Sequence, residues 1–459
     1  MLIAQQRPIN YNDGMNYFSR MIVIALPIIA QQFVSASLNL ISGLMIGQLG
    51  ETSVASVGLS NQIFFLMALL TFGISSGVAI FTAQLWGKGD IPNVRRVMGL
   101  SLLLSLGGAL IFFTLAVFLP EKVLGIYTVD PNVIALGSQY LRIAGWSYLP
   151  TAITFSLSSS LRSTGFVRIP LVVSTSALLL NTALSYGLIF GRLGLPELSA
   201  PGAAVALVIS RLLEVTGMIS VIWLKRLPIA GTPREMWNLN LDFARTVLNR
   251  ALPVAANEML WSLGITTYNI IYARIGTQAV AAVNITSAIE NLAFVFFMGI
   301  ADATAILVGN QIGAGDETDA YQVARKSLFV AMGGGVFMGL LLWLLSGPVL
   351  GLYKVSGEVI EYAAGILTVI AFTLWLRVAN LTLFIGIFRS GGDTRFAFLL
   401  DTIGVWLVGV PMALLGAFVL HLPVYWVYLM VMAEELVKWG IAMRRFFSQR
   451  WMHNVTQTI

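Results

Sequence analysis

Residues 50–63 read G-E-T-S-V-A-S-V-G-L-S-N-Q-I, and residues 276–289, 226 positions later, read G-T-Q-A-V-A-A-V-N-I-T-S-A-I. Three more blocks repeat in or beside that register. Ala25-Leu26-Pro27-Ile28 returns as Ala251-Leu252-Pro253-Val254. Ala79-Ile80, Gly87, Gly89 and Asp90 return as Ala305-Ile306, Gly313, Gly315 and Asp316. One residue out of step, Leu161-Arg162-Ser163-Thr164-Gly165 returns as Phe388-Arg389-Ser390-Gly391-Gly392. The chain therefore holds two copies of one unit.

Hydrophobic residues make up 57% of the 459 and charged residues 10%, against about 25% charged in an ordinary soluble domain. So few charges cannot clothe a soluble surface, and the units read as membrane bundles. Cysteine is absent, and the two histidines, His421 and His453, lie far apart. A disulfide framework, thiol chemistry and a His-rich metal cluster are thereby excluded. Residues 1–19 are polar and the first apolar run is long enough to span, so no cleavable signal peptide is expected.

Twelve apolar runs are long enough to cross a bilayer, which takes about 20 residues. They fall at 21–46, 54–85, 95–119, 134–160, 168–191 and 202–224, then at 246–273, 280–312, 325–350, 359–388, 396–420 and 423–445. Loops after even-numbered spans hold fourteen Lys and Arg residues, Arg162, Arg389 and Arg395 among them. Loops after odd-numbered spans hold four, Lys122, Arg192, Arg274 and Lys354. Positive residues stay cytoplasmic, so both termini are expected there, with Arg20, Arg444, Arg445 and Arg450 in agreement. An even number of spans per copy makes a parallel repeat. The expected organisation is an all-α integral membrane fold, with a first lobe over 1–224, a cytoplasmic linker over 225–244 and a second lobe over 245–459. The excess of six positive charges follows the membrane and calls for no nucleic-acid partner. No loop can house a soluble catalytic domain, and no G-x-x-x-x-G-K-[ST] loop for ATP occurs, so the chain is not expected to be an enzyme.

An ionised group at mid-bilayer costs about 3 kcal/mol or more, so each one faces protein or water. The first lobe has Arg142 and the pair Arg211 and Glu214, while the second has Glu258, Glu290, Asp302, Asp401, Glu434, Glu435 and Arg377. Glu258 follows Pro253 by five residues, where a missing backbone N–H opens room for water or an ion, whereas the first copy has Gln32 there. Glu258, Asp302, Glu290 and Asp401 are thus the candidates for coupling to a proton or cation, with Glu258 also a possible Na⁺ ligand. Glu434 with Lys438 reads as a structural i,i+4 pair, and Asp401 as a partner for Arg395 near the cytoplasmic end. Asn181, Tyr140, Gln32, Tyr268 and Asn284 are candidates to line a substrate cavity, and the serines of 156–160 read as a close-packing face.

The chain resembles the multidrug and toxic compound extrusion (MATE) transporters along both copies. The resembling segments are residues 45–61, 82–90, 161–170, 251–264, 308–316 and 388–397, among them V-G-N-Q-I-G-A-G-D and A-L-P-V-A-A-N-E-M-L-W-S-L-G. The resemblance implies twelve helices in two six-helix lobes forming a V around a central cavity. It also implies export of organic cations or amphipathic drugs in exchange for Na⁺ or H⁺, in the plasma (inner) membrane. By the same resemblance, Glu258 falls on a helix-7 glutamate linked to cation binding and Asn181 on a helix-5 asparagine.

Two first-lobe acids that many members carry are replaced here by Ser42 and Ser185, and where some members have a helix-10 acid the chain reads W-L-R-V-A-N with Arg377 and Asn380. The coupling ion stays open between Na⁺ and H⁺. A small organic cation or amphipathic drug and membrane lipid are the expected partners, and a monomer the expected state. A lipid-linked glycan flippase of the wider superfamily, a passive channel and a membrane-embedded transferase remain as alternatives. For the last, the D-E-T-D run at 316–319 is the one acidic cluster to consider.

Overall fold

The computed structural model describes residues 16–353 and 355–457. Lys354 and the polar residues 1–15 lie outside the described part. Among the described residues there is no strand, and the elements are helices in this chain order. They are α1 Tyr17–Gly47, α2 Glu51–Lys88, α3 Ile91–Phe118, α4 Pro120–Leu124, α5 Pro131–Ala144, α6 Tyr148–Ser163, α7 Arg168–Phe190 and α8 Ser199–Leu224. Then come α9 Pro233–Met236, α10 Leu241–Ile275, α11 Thr277–Ala314, α12 Glu317–Leu350, α13 Gly357–Leu381, α14 Thr394–Ile403, α15 Val410–Leu414, α16 Val424–Val431 and α17 Ala433–Phe447. Three π-helical stretches, Thr382–Arg389, Gly404–Gly409 and Leu415–Val419, prolong α13, α14 and α15.

Among the described residues nine helical segments are long and apolar enough to cross a membrane. Helical stretches also cover the other three expected spans: α5 with α6, α10, and α16 with α17. The first and last of these are each broken into two shorter helices, and α10 is long but more polar. The all-helical, twelve-span fold read from the sequence is the fold of the chain.

The textual repeat is also a repeat of backbone. Gly89 and Gly315 end α2 and α11 in the left-handed region, at φ 80° and 84°. A Cβ would be strained at both, so glycine recurs. The next residue caps the following helix in each copy: Asp90 accepts from the Asn93 N–H at 3.2 Å, and Asp316 from the Asp319 N–H at 2.9 Å. The acidic run at 316–319 is thus a helix start.

By compactness the chain divides into two units, residues 26–255 and residues 16–25 with 256–459. Both divisions fall beside the prolines inside α1 and α10, Pro27 and Pro253. Residues 225–244 lie within the first unit and fold onto α3. Arg95 donates from Nε to the Pro228 carbonyl at 2.9 Å and pairs with Glu235 at 2.8 Å, and Arg96 donates to the Asn238 carbonyl at 2.8 Å. Glu235 also closes a capping box with Thr232, whose backbone N–H holds the exposed carboxyl below its usual range.

Within the first unit, the Ser156 hydroxyl on α6 donates to Ser105 on α3 at 3.0 Å, so that serine run does join two helices closely. Within the second unit, Tyr17 donates to Ser327 at 3.0 Å, tying the start of α1 to α12. Small residues set the closest approach there. A Cβ on Gly335 would sit 2.6 Å from the Trp375 Cα, and one on Gly339 would strike the Ala371 carbonyl. At the far end, Trp451 is fully buried on Phe446, and the His453 N–H donates to the Gly391 carbonyl at 2.8 Å.

The α12–α13 contact generates a paired test. Gly339→Leu forces the two helices apart and is expected to destabilise by about 1–3 kcal/mol or more, as overpacking does. Gly333→Leu, six residues earlier where nothing lies within 4 Å, is expected to leave stability unchanged. Thermal unfolding of the detergent-purified variants reads the difference, and equal midpoints would refute the close approach.

Candidate functional site

The buried charge lies mainly in the second unit, and α10 positions much of it. Pro253 has no N–H, so the Asn249 carbonyl one turn earlier has no helical donor. Beyond that break α10 presents Asn257, Glu258 and Tyr268, all buried. Glu258 Oε1 lies 2.7 Å from Arg389 Nη1, with both side chains about nine-tenths covered. Arg389 ends the π-helical stretch Thr382–Arg389, a geometry that re-aims side chains and recurs at functional sites. Arg389 was counted from the sequence as a cytoplasmic loop cation; the structure puts it inside the bundle, as the partner of the leading candidate carboxylate.

The repeat carried the signal for this pair. Arg162 is the first-copy counterpart of Arg389, and its Nη2 donates to the Gln31 amide oxygen on α1 at 2.8 Å. The same arginine meets the same stretch of helix in each unit. In the first unit the bond is to a neutral amide, and in the second it is an ion pair.

A second cluster joins α11, α13 and α16. Arg377 forms a salt bridge with Glu290, packs on the Phe294 ring at 5.0 Å and donates to Tyr428 Oη at 3.3 Å. Tyr428 in turn donates to Glu290 Oε2 at 3.4 Å. Arg377 lies in the stretch where some members of the resembled family have an acid, and here an acid from the neighbouring helix meets it.

The third cluster surrounds Lys438. Its Nζ lies 3.1 Å from Asp401, 3.3 Å from Glu435 and 3.5 Å from Glu434. Asn257 donates to Asp401 at 3.0 Å, Asn380 to Glu435 at 2.6 Å and Tyr268 to Glu434 at 2.6 Å. Asp401 thus reaches Lys438, where the sequence reading had paired it with Arg395. The pair Glu434–Lys438 exists as read, but inside a group of three carboxylates drawn from α14 and α17. Room for it comes from Gly404, where a Cβ would press on the Lys438 stem at 2.7 Å, and from Gly409, where one would strike Tyr268 Oη and Glu434.

The remaining candidates scatter. Asp302 is half-buried on α11, Gln32 half-buried on α1, and Asn284 exposed on α11. Tyr140 is buried in an apolar cluster with Met45, Ile46, Val57 and Ile189. Tyr268 is a ligand of Glu434. Asn181 lines a small hollow with Ser210 and the ion pair Arg211–Glu214, closed at 2.6 Å, and its Oδ1 is buried without a partner. Asn257, Asn380 and Lys438 were missed as site residues. Their signal, polar groups amid spans 7, 10 and 12, was present but unranked. Chemically the second unit offers Glu258 beside Arg389, Glu290 beside Arg377, and Asp401, Glu434 and Glu435 around the single Lys438. Among the described residues no set of three acids or histidines is disposed as a metal site.

With this geometry in view, comparisons place the chain. The MatE family model matches residues 27–187 and 253–415. An uncharacterized transporter, YisQ of Bacillus subtilis (strain 168), is 27% identical over 433 residues, covering 92% of this chain and 93% of that one. The probable multidrug resistance protein NorM of Rhizobium meliloti is 28% identical over 408 residues, covering 87% and 86%. Among solved structures, a mutant of the Vibrio cholerae MATE transporter VcmN superposes with a TM-score of 0.87 at 18% identity, covering 96% and 99%. A MOP superfamily transporter from Pyrococcus furiosus, described as having a reversed binding-pocket polarity, gives 0.85 at 18% identity, covering 95% and 97%.

The Arg377–Glu290 bridge yields a double-variant test. Arg377→Met strands Glu290 and is expected to cost toward the lower end of the about 3–5 kcal/mol typical of a broken buried pair. Adding Glu290→Gln is expected to recover most of that loss in chemical unfolding. Additive losses would show that the two side chains do not act as a pair.

Proposed function

This chain belongs to the MatE family of transporters, and on that premise we propose that it is a proton-driven exporter of organic cations or amphipathic drugs. It is a multi-pass membrane protein; we place it in the plasma (inner) membrane with both termini cytoplasmic. The loop charges support that orientation even with Arg389 withdrawn from the count. The relatives described as multidrug resistance proteins support the substrate class.

The observation that carries the coupling assignment is the Glu258–Arg389 pair at 2.7 Å. A guanidinium already occupies the approach that a Na⁺ ion would need, so Na⁺ binding at Glu258 would have to eject it. A proton asks only that the pair open. Protonation turns Glu258 neutral, releases Arg389 and removes the tie between α10 and the π-helical end of α13. Deprotonation restores it. A ligand drives alternating access only if it binds the two states unequally, and a carboxyl paired in one state and unpaired in the other meets that condition. Substrate enters from the cytoplasm or inner leaflet and leaves outside as the proton enters.

In reconstituted vesicles, an imposed pH gradient is expected to drive efflux of a fluorescent organic cation, and a Na⁺ gradient alone to leave it unmoved. Glu258→Gln is expected to abolish that efflux while the protein still inserts and folds. Efflux driven by Na⁺ with no pH gradient would overturn the proton assignment, and wild-type efflux by Glu258→Gln would overturn the residue.

A further inference from the structure

The Lys438 cluster has more negative charge than its fixed cations can balance. Asp401, Glu434 and Glu435 close on one ammonium within 3.1–3.5 Å. The charged and titratable groups facing it from other elements are Tyr268 and Tyr272 on α10, Arg377 on α13 and Tyr428 on α16. Arg377 is already bridged to Glu290. Taken with that pair, four carboxylates face two cations, in a part of the protein where Glu434 and Lys438 are more than nine-tenths covered. An excess of negative charge is costly in such a place, and a bound proton lowers it.

A separate observation points the same way. Asn257 and Asn380 are buried, at 6% and 3% exposure, and the Oδ1 of each has no hydrogen-bond donor. Their Nδ2 groups donate to Asp401 and Glu435. Each unpartnered oxygen thus belongs to an amide already bonded to a carboxylate of the cluster. Neither oxygen has a donor among the side chains and backbone around it. A carboxylic acid O–H is one.

We propose that the Lys438 cluster is a second proton-binding site: Asp401, Glu434 and Glu435 share at least one bound proton, held as a carboxylic acid among the amides of Asn257 and Asn380. Loading forms one carboxyl O–H bond with a proton taken from water, and unloading breaks it and returns the proton to water. A metal cation is disfavoured because it would have to displace the ammonium that the three carboxylates already surround. Gly404 and Gly409 fit a built site, since side chains there would collide with Lys438, Tyr268 and Glu434. Asn257 adjoins Glu258 on α10 and binds Asp401, which gives the two carboxylates a common support. Use of this proton in export rests on the proton-driven reading above; its presence does not.

Infrared spectroscopy of the full-length protein in lipid vesicles tests the proposal through the C=O band of protonated carboxyls, identified by its shift in deuterated water. The band is expected in the wild type at neutral pH and in Glu258→Gln. It is expected to shrink in at least one of Asp401→Asn, Glu434→Gln and Glu435→Gln, and to grow in Lys438→Met, where the ammonium is lost. Absence of the band from the wild type, which needs no substitution and so no refolding control, would overturn the proposal. So would an undiminished band in all three carboxylate variants. Should wild-type efflux ignore the pH gradient while the band behaves as expected, the exporter reading fails and this site stands. Should efflux follow the gradient with no band, the reverse holds.

Discussion

A carboxylate withdrawn from water has to be met by a cation, by hydrogen-bond donors or by a proton, and the second unit is organised around that demand. Glu258 is met by Arg389, Glu290 by Arg377 and Tyr428, and the three acids of α14 and α17 by Lys438 with two amides and a phenol. None of these arrangements is the cheapest way to build a bundle, since apolar packing of equal volume is often as stable.

The two copies differ in what meets a shared arginine. Each keeps an arginine in the L-R-S or F-R-S block and a proline in the A-L-P block, and each lets the arginine reach a helix one turn past that proline. In the first unit Arg162 donates to the amide oxygen of Gln31, whereas in the second Arg389 lies against the Glu258 carboxylate. The first unit retains its own buried pair, Arg211 with Glu214 at 2.6 Å, but three residues apart on one helix it ties no two elements together.

The fold was legible because the apolar runs and the repeat are long-range regularities that packing cannot override. The positive-φ glycines and aspartate caps at 89–90 and 315–316 are local rules that the sequence states outright. The partners of the charged groups were not legible in the same way. Glu258 and Arg389 are far apart in sequence, and Arg389 sits where a span ends, so charge counting placed it in water. Lys438 was visible next to Glu434 on its own helix, but Asp401 arrives from another helix and Asn380 from a third. Tyr140 looked like a cavity residue by type and lies in an apolar cluster, because a tyrosine's ring alone does not reveal which of its ends is buried.

The divisions between the compact units fall beside Pro27 and Pro253, within helices and away from the stretch that joins the copies. The opening of α1 is counted with the later unit, and the opening of α10 with the earlier one. A polypeptide severed at residues 225–240 would therefore yield two fragments, each missing an arm that its own covalent sequence does not supply. The sequence copies and the compact units therefore do not share their boundaries.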